Sequence, residues 1–127
     1  MKRIVNLVCS NTPVLLFCNS YINIIQRLYA ELSGIEYDKI KEGNLSDKEW
    51  ERIDNTAPML KNASLYLCDK IIDSAEGYIK DYEDLKMPIE YVFIDTLPEN
   101  IDKDRLIQWS NSCGITLEFV NFDDTLS

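Results

Sequence analysis

The sequence predicts an α/β fold with a mostly parallel sheet and flanking helices. Three observations carry this. Four short apolar runs recur along the chain: Val14–Cys18, Ser64–Cys68, Ile89–Ile94 and Ile115–Val120. Continuous apolar runs of this length suit strands buried on both faces. Between the runs, apolar residues recur at helical spacing behind recognisable caps. Strands that alternate with helices imply parallel pairing through right-handed crossovers.

Each element follows from local chemistry. Ile4–Val8 leaves two readings open. Its β-branched residues favour a strand, which the short Ser10–Pro13 connection would make antiparallel to its neighbour; a short helix is the other option. Pro13 and Asn19-Ser20 bound the first buried strand. Ile22, Ile25, Leu28, Tyr29 and Leu32 then recur at helical spacing, and Ser33-Gly34 supplies a stop. Residues 35–44 read as an irregular connection. Leu45-Ser-Asp-Lys-Glu-Trp50 is the clearest local signal: Ser46 and Glu49 form a capping box, and Leu45 and Trp50 a hydrophobic staple. Asp47 and Glu49 also favour the positive end of the helix dipole. Trp50, Ile53, Ala57 and Leu60 make a stripe expected to be buried, and Pro58 is expected to kink or shorten the helix. A second strand ends at Asp69. Asp73-Ser-Ala-Glu76 caps a helix to about Lys86 with Ile79, Tyr82 and Leu85 inward. A third strand ends at Asp95, and Pro98 punctuates the loop after it. The last helix runs from Asp102 to about Ser112, with Leu106, Ile107 and Trp109 apolar. It stops at Cys113-Gly114, ahead of the final strand, and Asp123 and Asp124 begin an acidic tail.

Composition narrows the function. A length of 127 residues gives one domain, 1–127, able to bury about two thirds of its unfolded surface. Hydrophobic content of 46% and a mean hydropathy of −0.20 read as globular, not disordered. The longest strictly apolar run, Val14–Cys18, is far too short to cross a membrane, and no secretory signal pattern is visible. Thirteen Lys plus Arg against 22 Asp plus Glu give a net charge of −9, which disfavours direct nucleic-acid binding. With no histidine, every Ser-His, Cys-His and His-metal arrangement within one chain is excluded. Cys9, Cys18, Cys68 and Cys113 form no C-x-x-C pair, so they read as buried, reduced, structural thiols and the compartment as cytoplasmic.

Longer segments carry a resemblance. Gly43-Asn-Leu-Ser-Asp-Lys-Glu-Trp-Glu-Arg-Ile53, followed by Ala63-Ser-Leu-Tyr-Leu-Cys-Asp69, resembles the ATPase domain of DnaB-type replicative helicases. That family shows a G-x-L-S-D-x-x-W segment leading to an A-P-L-Y-I-D-D strand. Pro13–Phe17 and Gln26–Gly34 resemble the strand and helix before it, Tyr91-Val-Phe-Ile-Asp95 its Walker B strand, and Ser110–Phe119 a later helix-to-strand passage. The resemblance implies a three-layer RecA-like, P-loop NTPase-like fold. It also implies where the chain departs. A phosphate cradle needs G-x-x-x-x-G-K-[ST], and none of the four glycines is followed by Lys-Ser or Lys-Thr. The P-loop strand and loop are therefore missing or replaced. Cys18-Asn-Ser-Tyr21 holds no carboxylate where the family places its catalytic glutamate, and only Thr96–Lys103 occupies the region of its DNA-contacting loops.

The candidate residues follow. Asp95 matches the Walker B position, as a cofactor-binding or metal-ligating residue. Asp69 and Asp73 accompany it toward the carboxyl edge of the sheet, with Asp69 a second candidate metal ligand. No residue is assigned to catalysis. Arg27 and Arg105 read as surface ion pairs, and the seven tyrosines, without basic interleaving, as packing residues. Loss of the Walker A strand would expose a sheet edge, to be covered by residues 4–8, a second copy or a partner. The expectation is a non-catalytic domain without cofactor that acts through a protein partner or self-association in DNA replication. ATP and magnesium belong to the alternative, an atypical phosphate site.

Overall fold

In the computed structural model, which describes residues 1–122, the chain forms two compact units. Unit 1 comprises residues 1–12 and 20–65, and unit 2 comprises residues 13–19 and those from 66 onward. Asp123 and Asp124 lie outside the described residues.

Unit 1 is helical. Of the two readings left open for its start, the helix holds: α1 spans Lys2–Cys9. Ile4, Val5 and Val8 fall on one helical face and are all buried, which an alternating strand would not achieve. Helix α2 (Tyr21–Ser33) begins at Ser20, whose hydroxyl accepts the Asn23 amide, and ends at Gly34, φ 75°. A side chain at Gly34 would be strained at that φ, and its Cβ would lie 3.0 Å from Arg52 Nη2. That guanidinium donates to the Ser33 carbonyl, joining α2 to α4.

Residues 35–44 are not irregular. They contain α3 (Tyr37–Glu42), closed by Gly43 at φ 73°. So short a helix is marginal on its own propensity; tertiary contacts hold it. The Arg27 guanidinium lies 4.2 Å from the Tyr37 ring centroid, and Lys39 Nζ donates to both Glu49 oxygens at 2.9 and 2.8 Å. Helix α4 (Asp47–Lys61) carries the full capping box, with Glu49 N–H to Ser46 Oγ at 3.2 Å and Ser46 N–H to Glu49 Oε1 at 3.0 Å. Pro58 does not shorten α4, which continues to Lys61. Proline forfeits one amide donor, but Asp54, four residues back, is exposed, so water reaches the carbonyl left over. The expected buried stripe is also corrected: Ile53 is buried, but Trp50 is 46% exposed.

Unit 2 holds the sheet. Strands β1 (Val14–Phe17), β2 (Leu65–Cys68), β3 (Tyr91–Asp95) and β4 (Thr116–Val120) lie in the order β2-β1-β3-β4; Leu65 itself falls at the unit boundary. β3 pairs parallel with β1, Leu15 opposite Val92, and with β4, Ile94 opposite Phe119. The connection from β2 to β3 is α5 (Ala75–Leu85), and that from β3 to β4 is α6 (Lys103–Cys113). Ser74 and Asp102 cap them by accepting the Gly77 and Arg105 amides, both at 3.1 Å. One core joins Leu15 and Phe17 of β1, Val92 and Ile94 of β3, Tyr78 of α5 and Leu106 of α6. Tyr82 meets Trp109 edge-on at 5.3 Å and donates its hydroxyl to the Ile89 carbonyl at 2.7 Å, so its polar tip is satisfied.

All four cysteines are free, but only Cys18 is buried. Cys68 is half-buried, and Cys9 and Cys113, at helix C-terminal turns, are exposed. Charge divides sharply between the units. Unit 1 holds eight Lys plus Arg and eight Asp plus Glu; unit 2 holds five and fourteen, and so the whole net charge of −9.

Candidate functional site

The sheet order locates the site. β1 leads to β2 on one side, while β3 and β4 extend on the other, so the switch point lies between β1 and β3. Open α/β sheets bind ligands outside the carboxyl ends of strands at such a point. Cys18 and Asn19 leave β1 there, Asp69 leaves β2, and Asp95 ends β3. All four line one cavity of about 130 Å³, together with Lys70 and Tyr78. The structure thus brings Asp69 and Asp95 to one place. Asp73, next to the α5 cap, does not line it.

Asp95 is 6% exposed, and its Oδ1 is committed. It accepts the Thr96 hydroxyl at 2.8 Å and the backbone N–H of Phe122 at 3.0 Å. Thr96 sits at φ 53°, a conformation β-branched residues rarely adopt. Its own N–H donates to the Val120 carbonyl at 2.8 Å. Asp95 and Thr96 therefore clasp the end of β3 to the chain leaving β4. A carboxylate holding two donors in a buried site is fixed in place.

The neighbouring groups are equally quiet. The Cys18 N–H donates to the Cys68 carbonyl at 2.9 Å, extending the pairing of β1 and β2. Burial, then the negative charges of Asp69 and Asp95 and the Cys68 sulfur, push the Cys18 thiol up to about 11. At neutral pH it is a protonated thiol, neither nucleophile nor metal ligand. Burial also raises Cys68, whose Sγ donates to Asp81 Oδ2 at 3.6 Å. Lys70 extends into solvent, its Nζ 3.8 Å from Asp81 Oδ1. Asp69 and Asn19 are exposed.

These residues do not fit a magnesium–nucleotide. The one buried carboxylate spends Oδ1 on Thr96 and Phe122. The residue leaving β1 is a neutral amide. Small-molecule pockets usually measure roughly 300–1,000 Å³, against about 130 Å³ here. Among the described residues, no group of three or more Cys, Asp or Glu could hold a metal ion. Arg105 pairs with exposed Glu76 at 3.1 Å, and Arg27 stacks on Tyr37, so neither arginine serves this cavity. Sequence reasoning missed Thr96 and the Phe122 amide. A threonine after a strand-end aspartate is a faint signal for the first, and none exists for the second.

No family model matches the sequence, and no curated protein matches it. Solved structures do. The ATPase domain of a DnaB-like helicase superposes with a TM-score of 0.75 at 16% identity, over 94% of this chain and 50% of that one. A DnaB-like replicative helicase, solved in a study of its interactions with primase, superposes with a TM-score of 0.70 at 15% identity, over 91% of this chain and 33% of that one. The fold is the RecA-like fold of DnaB-type helicase ATPase domains, and this chain spans half or less of the length of either relative.

Proposed function

We propose that this chain is a non-catalytic DnaB-helicase-like domain that acts through protein–protein interaction in DNA replication, in the cytoplasm, without cofactor. The observation that supports the reading is Asp95. A metal-ligating aspartate needs oxygens open to the ion, and here Oδ1 closes a clasp between β3 and the exit of β4. The carboxylate has a structural occupation that explains its burial. The absent Gly-rich lysine loop and the neutral Asn19 favour the same reading. The acidic charge of unit 2 argues against a nucleic-acid partner. Among the described residues, no helix is long and apolar enough to cross a membrane.

A second reading is a rebuilt phosphate or magnesium site. It draws on Asp69, Lys70 and Asp95 sharing one cavity. Calorimetric titration of Mg-ATP into the wild type and Asp95→Ala separates the two. The proposed function requires no saturable heat with either protein. Binding tighter than about 100 μM, roughly −5.5 kcal/mol, that vanishes in Asp95→Ala would establish the second reading.

A further inference from the structure

We propose that unit 1 binds a second copy of this chain as a two-fold symmetric dimer, with α4 packed antiparallel against α4 of the partner about Ala57 and Pro58. The proposal rests on the interaction reading above and names its partner.

The first observation is an open apolar groove between α2 and α4. Ile25 and Tyr29 of α2 and Ala57, Pro58 and Leu60 of α4 line a cavity of about 690 Å³. Ile25 and Tyr29 also line a second cavity of about 280 Å³, which carries the groove on to Tyr21, Ile22 and Trp50. At the α-helical rise, the stretch from Trp50 to Leu60 is about 15 Å long. Tyr21 is 51% exposed and Ile22 57%. Apolar stripes at helical spacing on two adjacent helices are suited to burial. A contiguous stretch left open, with aromatic anchors, has the composition of an interface.

The second observation selects the occupant. Asp54, Pro58 and Lys61 form a row at helical spacing down the same groove, with opposite charges at its two ends. The midpoint of Asp54 and Lys61 falls between residues 57 and 58. A two-fold axis there places Asp54 of each copy against Lys61 of the other, so the row complements itself. The small Ala57 and the flat Pro58 ring at the crossing let the helices approach. Unit 1 has equal numbers of acidic and basic residues, so two copies of it meet without net repulsion. Residues 54 and 61 are about 10.5 Å apart along one helix, too far to pair within a chain.

Charge reversal tests this on the full chain by sedimentation velocity, at protein concentrations up to about 1 mM. The wild type is expected to dimerise. Asp54→Lys alone sets two positive side chains against each other at each end of the crossing, and Lys61→Glu alone sets two negative ones there. Each variant is expected to weaken its own dimer about tenfold or more. Mixed together they are expected to associate with near wild-type affinity, because a mixed dimer carries one like-signed variant against the opposite sign at both ends. Far-ultraviolet circular dichroism checks that both variants fold, and Ile71→Glu, at an exposed position in unit 2, should leave the dimer unchanged. A monomeric wild type would overturn the proposal and leave the groove to a different protein. Single variants that dimerise like the wild type, or a mixture that fails to associate, would also overturn it. The ATP titration is independent: nucleotide binding lost in Asp95→Ala would sink the non-catalytic reading, whereas a monomeric wild type without nucleotide binding would sink only this one.

Discussion

Unit 2 and unit 1 spend their apolar residues differently. In unit 2 the central strands β1 and β3 are buried almost throughout, and exposed Ile71, Met87 and Ile107 stand singly. That unit also carries the full −9, so its surface repels copies of itself and polyanions. Unit 1 is electrically balanced and leaves Tyr21, Ile22, Trp50 and Met59 exposed along α2 and α4. The difference teaches where contact is cheap: a closed, acidic sheet unit suits a scaffold, and a neutral helical unit with an open seam suits a surface for association.

The comparison breaks first at the core of unit 2. Leu106 is fully buried and Ile107, beside it on α6, is 39% exposed. Leu106→Ala is expected to cost about 3 kcal/mol in urea denaturation, and Ile107→Ala no more than about 0.5 kcal/mol. Similar losses at both would show that the sheet unit is packed more loosely than described. Next comes the clasp. Asp95→Ala leaves the buried Phe122 amide without an acceptor, at an expected cost of about 2 kcal/mol, while Asp95→Asn keeps an oxygen there and loses less. Amide exchange at Phe122 should accelerate in the first variant and much less in the second.

Smaller effects sharpen the picture of unit 1. Ser46→Ala removes half of the capping box and is expected to cost about 1 kcal/mol, read from the thermal midpoint. The smallest is a pH effect at the same cap. The Lys39 hydrogen bond, followed by the Ser46 amide, lowers Glu49 to about 2. An unfolded glutamate titrates near about 4.3. A lowered folded value means that the contribution is complete above the unfolded value and is lost as pH falls from there toward 2. The stability gap between wild type and Glu49→Gln should therefore be constant at neutral pH and close through that window. A gap that persists below pH 2 would point to lost packing, not lost charge.

Much of the fold was legible because it is written locally. The four apolar runs became four strands, each within a residue or two of its expected bounds, and Ser46, Gly34 and Gly114 sit where the caps require them. The failures share a cause. Helix α3 exists because Lys39 reaches Glu49 ten positions on and Arg27 covers Tyr37, and neither contact has a local sign. Pro58 broke nothing because its helix face meets water. Trp50 obeys the staple pattern yet stays half bare, since a stripe states what a helix can bury and not what is present to cover it. Cys9 and Cys113 were expected inside because they adjoin apolar runs, but both fall on exposed ends of helices.

The site divides in the same way. By itself, the sequence determined the parallel α/β class, the acidic balance, the lack of histidine chemistry and the absence of a lysine-bearing phosphate loop. Those are properties of residue order and composition, and folding cannot alter them. Only the tertiary structure decided what Asp95 does. A strand-end aspartate can face a metal ion or hold a neighbouring strand, and the choice depends on where Thr96 and the Phe122 amide arrive, the latter 27 residues along the chain. Nothing in the spacing of residues records which backbone amide a buried carboxylate will meet.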